Sequence, residues 1–133
     1  MPAGPVSEAE SVDILYVEDD VELREASCEL LREEGFQVAE VGDGVAALAY
    51  LGQGHHPSLV VLDLQMPVMG GYEFIAHLRS DPRFVDTPVL VVSAVAQSGI
   101  LAGPNGVVAY LSKPFEIEAL IGYVRRFAGR RGR

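Results

Sequence analysis

The chain has 133 residues, a net charge of −9 and 49% apolar residues, which suits one packed domain and excludes wholesale disorder. No run of about 18 apolar residues could cross a bilayer. Residues 1–11 hold no apolar stretch of the kind a secretory leader needs, and the single cysteine, Cys28, leaves no internal disulfide. A cytoplasmic, reducing setting is therefore expected, with no membrane insertion. Arg125, Arg126, Arg130, Arg131 and Arg133 are half of all basic residues, so residues 1–124 alone carry −14. That excess of acid argues against direct contact with nucleic-acid phosphates. Lys113 is the only lysine.

Taken in order, strand-like and helix-like segments alternate with little between them. Val12 to Val17 is a short apolar run that ends in Glu18-Asp19-Asp20. A helical pattern covers Val21 to Glu34 and stops at Gly35. Phe36 to Val41 reads as a second strand, and Asp43 is placed to cap a helix over about Val45 to Leu51. Leu59 to Leu62 is a continuous apolar run, as in a strand covered on both faces, and it ends in Asp63. A helix from about Tyr72 to Ser80 is broken by Asp81-Pro82. Val89 to Val92 is a fourth strand, followed by Ser93-Ala94. Gly99, Gly103 and Pro104 shorten any helix over Val95 to Asn105. Val107 to Leu111 is a fifth strand and Glu116 to Phe127 a final amphipathic helix. Residues 1–11 and 128–133 read as tails around a domain over 12–127.

Five such units in so short a chain predict a parallel sheet with helices on both faces. Every strand then ends on one edge, where ligand sites of such sheets lie. That edge receives Glu18, Asp19 and Asp20, then Asp63, Ser93 and Lys113. If the first and third strands are neighbours, Glu18, Asp19 and Asp63 converge, and carboxylates about 4 Å apart repel by roughly 4 kcal/mol at an effective dielectric near 20. The cluster must raise a pKa or hold a cation, and a few hard oxygen ligands suit Mg²⁺. Glu18–Asp20 alone would read as a solvated acidic loop; together with Asp63 and Lys113 it reads as a metal site. Lys113 offers a compact ammonium where other positions use arginine, and it can pair with Asp63 at rest and with a phosphoryl oxygen afterwards. Ser93 either caps its strand or donates to such an oxygen, with small Ala94 beside it leaving room. Tyr110 reads as a half-buried core aromatic.

These segments together resemble the receiver domain of two-component response regulators, the CheY-like superfamily. The resemblance rests on Ile14 to Asp20, on Leu59 to Pro67, on Val91 to Ala94 and on Tyr110 to Phe115, with 44 residues from Asp19 to Asp63 and 30 from Asp63 to Ser93. It implies a flavodoxin-like (βα)5 sandwich with strand order 2-1-3-4-5, in which the short Val95 to Asn105 stretch leaves room only for a short fourth helix. It implies that Asp63 accepts a phosphoryl group from a phosphohistidine, and that Glu18, Asp19, Asp63 and the backbone carbonyl of Gln65 hold Mg²⁺. Lys113, joined to Pro114 by a cis peptide, and Ser93 would bind the phosphoryl group, and Tyr110 would be the switch aromatic. Such a protein is a signalling domain that assists its own phosphorylation and dephosphorylation rather than an enzyme with a separate substrate. The implied partners are a sensor histidine kinase or histidine phosphotransferase and a downstream protein, with the chain a monomer or weak dimer.

The chain departs from the family pattern in four places. Glu18-Asp19 replaces the commoner Asp-Asp, Gly70 stands where Asp is frequent, Ser93 replaces Thr, and only 20 residues separate Ser93 from Lys113. The expected role is a stand-alone receiver, with a receiver from a longer regulator or hybrid kinase as the alternative. A haloacid-dehalogenase-like phosphatase also uses an aspartate after a buried strand, but it needs a second Asp where Gln65 stands. His55-His56 reads as a turn, Cys28 as a small buried hydrophobe, and the arginine-rich end as a complement to a helix C-terminus.

Overall fold

The computed structural model describes residues 12–94 and 106–128. Among the described residues nine elements follow in chain order: β1 (Ile14–Val17), α1 (Val21–Glu33), β2 (Val38–Val41), α2 (Gly44–Gly52), β3 (Leu59–Asp63), α3 (Gly71–Ser80), β4 (Val89–Ser93), β5 (Val107–Ser112) and α4 (Ile117–Phe127). All strands are parallel and ordered β2-β1-β3-β4-β5, the flavodoxin-like arrangement expected. The expected short helix over Val95 to Asn105 and both tails, apart from Ala128, lie outside the described residues.

The unbroken apolar runs are explained by two cores. Along β1, Ile14 and Tyr16 face one core and Leu15 and Val17 the other; β3 and β4 alternate in the same way. One layer packs these side chains against Cys28 and Leu31 of α1 and Leu120 and Val124 of α4. The second packs them against Ala47 and Leu51 of α2 and Phe74, Ile75 and Leu78 of α3. Each fully buried Leu, Ile or Phe contributes about 1.5–3 kcal/mol relative to exposure. A polar face on the central strands would forfeit that on one side.

Local signals set the element ends. Gly35, at φ +100°, takes the left-handed position past α1. Asp43 caps α2 by accepting from the Ala46 N–H at 2.8 Å. Asp20, read above only as part of an acidic run, is the cap of α1: its Oδ1 accepts from the Leu23 N–H at 3.1 Å. α3 starts on Gly71 and has no side-chain cap, because Gly70 stands in the capping position. Arg125, beyond complementing the end of α4, makes an ion pair with Glu34 and so ties α4 to the end of α1. In the β3–α3 loop, Val68 sits at φ +68° and is 86% exposed.

Candidate functional site

The register determines what meets at the C-terminal edge of the sheet. Val17 lies beside Leu62, so the residues that follow them, Glu18 and Asp63, end up adjacent. Val92 lies beside Asp63, and Ser93 beside Ser112. The Lys113 N–H donates to the Ser93 carbonyl at 2.9 Å, which brings Lys113 to the same edge. Glu18, Asp19 and Asp63 each offer a carboxylate oxygen, and these lie within 4.8 Å of one another. Glu18 and Asp63 are buried, while Asp19 faces solvent.

Lys113 spans the two buried acids. Its Nζ is 2.8 Å from Glu18 Oε1 and 3.5 Å from Asp63 Oδ2, so its closer partner is Glu18 rather than Asp63. The longer side chain of Glu18, compared with the commoner Asp, lets the carboxylate reach across to the ammonium. The other Glu18 oxygen accepts from the Asp20 N–H at 3.1 Å, and Asp63 Oδ1 accepts from the Gln65 N–H at 3.1 Å. The Lys113–Pro114 peptide is cis. Ser93 is buried at the end of β4, and Tyr110, half-buried, packs on the α2–α3 side of the sheet opposite Val91. A cavity of about 330 Å³ is lined by Leu23, Ala94, Lys113, Pro114 and Phe115.

Burial raises the pKa of both Glu18 and Asp63 above the ordinary carboxylate range, with each also raised by a neighbouring acid, and the hydrogen bonds and Lys113 only partly offset this. Burial alone would depress Lys113, yet the Glu18 and Asp63 carboxylates outweigh it and hold its pKa above the usual lysine value. The carboxylate shifts have a definite sign. Between the unfolded carboxylate value near 4 and the raised folded values, the folded chain binds more protons than the unfolded one, so stability falls as pH rises. In a chelator, lowering the pH from neutral towards the ordinary carboxylate range is expected to stabilise the protein more than it stabilises an Asp63→Asn variant. Thermal melts across that range measure the difference, and parallel curves would refute it.

Two residues at this edge went unnoticed in the sequence. Arg24 donates to the Glu18 carbonyl at 2.9 Å and to Glu40 Oε1 at 3.2 Å. The available signal was Glu40 itself, a charged residue in a strand where it alternates with Ala39 and Val41. The residues set aside above play packing roles. His55 stacks on Tyr50 at 4.0 Å and His56 lies 5.2 Å from the Phe84 ring. Cys28 is fully buried, and burial pushes its thiol pKa up to about 12, which leaves it inert as a nucleophile. No helix among the described residues is long and apolar enough to cross a membrane.

Comparison with known proteins agrees with this geometry. The chain is 37% identical over 125 residues to the response regulator Rre1 of Synechocystis sp., covering 92% of this chain and 54% of Rre1. It thus spans about half the length of that relative. Among solved structures, chemotaxis response regulator CheY4 of Vibrio cholerae superposes with a TM-score of 0.78 at 28% identity, covering 88% of this chain and 98% of that one. The receiver domain of sensor histidine kinase PA1611 from Pseudomonas aeruginosa, solved with a magnesium ion coordinated in its active-site cleft, superposes with a TM-score of 0.77 at 26% identity, covering 90% and 99%. Residues 14–125 match the response regulator receiver domain family, and with the five-stranded parallel sheet and its acidic edge the chain belongs to that family.

Proposed function

We propose that Asp63 is a phosphoacceptor and that the chain signals by phosphorylation-dependent protein contacts. The observation that carries this is the meeting of Glu18, Asp19 and Asp63 within 4.8 Å, with the Lys113 ammonium against both buried acids. Three convergent carboxylates, two of them buried, suit a hard divalent cation that keeps several waters. Glu18, Asp19 and Asp63, with the Gln65 carbonyl, are the residues that would hold Mg²⁺. When bound, the ion supplies positive charge next to the transferring phosphoryl oxygens.

The chain's own residues supply the rest. An Asp63 carboxylate oxygen attacks the phosphorus of a phosphohistidine; a P–O bond forms, the P–N bond breaks, and the imidazole nitrogen leaves with the bonding pair and takes up a proton. Lys113 places its ammonium against the added negative charge. The Ser93 hydroxyl donates to a phosphoryl oxygen. Tyr110, packed two residues before the level of Ser93, then shifts between positions and passes the change to the surface. The phosphodonor is a sensor histidine kinase or histidine phosphotransferase, the site of action the cytoplasm, and the recipient a protein rather than nucleic acid, given the acidic charge of residues 1–124.

Incubation with a small phosphodonor such as acetyl phosphate should add one phosphoryl group in Mg²⁺ and none in chelator, and borohydride reduction followed by peptide mass spectrometry should locate it at Asp63. A label on a histidine or serine would refute the assignment. Lys113→Met should cost about 3 kcal/mol of stability in chelator, because Glu18 is left buried beside Asp63 without its counter-ion. The same variant should bind Mg²⁺ more tightly, since no ammonium then offsets the acids. Denaturant titration and calorimetry check both, and weaker Mg²⁺ binding would contradict the charge argument.

The role as a receiver of a longer protein is the second reading, favoured by the 54% coverage of Rre1 and by the likeness to the receiver of a sensor kinase. The size of the natural gene product on an immunoblot separates it from a stand-alone role. The phosphatase alternative loses its support, because the chain belongs to another family and Gln65 stands where the acid would be needed.

A further inference from the structure

Arg24 sits in the first turns of α1 and takes no part in the chemistry above, yet it is held more firmly than a surface arginine. Its side chain is only 16% exposed. One guanidinium nitrogen donates to the Glu18 backbone carbonyl at 2.9 Å, and Nε donates to Glu40 Oε1 at 3.2 Å. Glu40 is itself fixed from the other side, because its Oε2 accepts from Arg32 at 2.9 Å while Arg32 also donates to the Val38 carbonyl at 2.8 Å. Gly42 completes the seat, since a Cβ there would stand 3.4 Å from the Arg24 nitrogen that reaches Glu18. The Glu18 N–H is held too, by the Val41 carbonyl at 3.1 Å. Both peptide groups flanking Glu18 are thus anchored to β2 or to a side chain resting on it.

The Glu18 carbonyl belongs to the peptide that joins Glu18 to Asp19, two of the three acids of the cluster. We propose that Arg24, clamped by Glu40, is a positioning residue that sets the Glu18–Asp19 peptide and so the separation of the carboxylates around the cation. This rests on the reading of the cluster as a divalent-ion site. Second-layer hydrogen bonds of this kind orient ligands that otherwise have several rotamers and loop conformations to choose from.

The proposal is testable because its sign opposes that of simple electrostatics. Deleting a guanidinium near three carboxylates would, by charge alone, tighten cation binding. Loss of a positioning bond weakens it. Calorimetric titration with Mg²⁺ in about 0.15 M salt, where charges beyond about 8 Å are screened, should show Arg24→Ala binding about tenfold more weakly than the parent. Arg24→Lys should lie between, because an ammonium on a flexible stem reaches either the carbonyl or Glu40 but does not fork to both. Glu40→Gln, which keeps the shape and relaxes the clamp, should also lie between and covers the case in which Arg24→Ala folds poorly. Arg32→Ala loosens Glu40 only from the far side and leaves both Arg24 bonds in place, and should weaken Mg²⁺ binding less than Arg24→Ala. Unchanged or tighter binding by Arg24→Ala, or an equal loss in Arg32→Ala, would overturn the positioning role while leaving the metal site intact. Absence of Mg²⁺ binding by the parent would overturn both.

Discussion

An Asp63→Asn variant is expected to lose phosphoryl incorporation completely and yet to unfold at a higher temperature than the parent in chelator. The loss follows from the chemistry, because an amide nitrogen is no nucleophile toward phosphorus and the amide oxygen carries no full charge. The gain follows from the surroundings of Asp63. Asp63 is 3% exposed and its carboxylate lies close to that of Glu18, and burial together with neighbouring acid raises its pKa. A neutral amide removes that penalty. Little is lost in exchange, for the amide oxygen can still accept from the Gln65 N–H, and Lys113 keeps its nearer partner, Glu18, at 2.8 Å. A gain is expected in chelator at neutral pH, and it should vanish when saturating Mg²⁺ stabilises the parent by mass action. Label counting by mass spectrometry and paired thermal melts give both readings. Residual labelling of the variant at the parental level would end the phosphoacceptor assignment, and a lower melting temperature in chelator would end the account of the strained acid pair.

Gly71→Ala should be strongly damaging. Gly71 opens α3 and is pressed against the residue that follows the proposed phosphoacceptor. A Cβ there would stand 2.7 Å from Leu64 Cα and 3.1 Å from the Asp63 carbonyl oxygen. Both are backbone atoms of a buried strand end, which cannot swing aside as a side chain would. The Gly71 N–H also donates to the Leu64 carbonyl at 3.0 Å, so the close approach is tied in place. Relief requires moving the start of α3 or the end of β3, and such overpacking costs about 3 kcal/mol. A fall in melting temperature of roughly 10 °C should follow, with weakened Mg²⁺ binding because Asp63 moves with Leu64. Gly122→Ala is the matched control. Gly122 lies exposed inside α4 with nothing within 4 Å of an added Cβ, so alanine there should raise stability by about 0.5–1 kcal/mol through helix propensity. Equal effects at the two positions would mean that the packing at Gly71 is looser than described.

The alternation of segments, the buried character of the third and fourth strands and the acids at their ends were legible from residue order alone. Each depends on local physics: an apolar run needs cover on both faces, Gly35 stops a helix, and Asp43 caps one. The same local reasoning missed Asp20 as a cap, because within Glu18-Asp19-Asp20 nothing in the order of residues says which acid turns back to its own helix. Once Asp20 accepts from the Leu23 N–H, only Glu18 and Asp19 remain for the cluster. It paired Lys113 with Asp63 but did not show the shorter contact of the ammonium with Glu18.

Composition, segment order and the four motifs by themselves determined the class of the fold and the residues that reach its C-terminal edge, since each depends on neighbours a few positions away. Only the tertiary structure decided how those residues pair: Lys113 with Glu18, Arg24 with the Glu18 carbonyl and Glu40, Arg125 with Glu34. These contacts join positions 6 to 95 residues apart in the chain, and their choice turns on strand register and side-chain length to within an ångström or two. A hydrogen bond fades over that distance while a burial pattern does not, and so the pattern can be read from order and the pairing cannot.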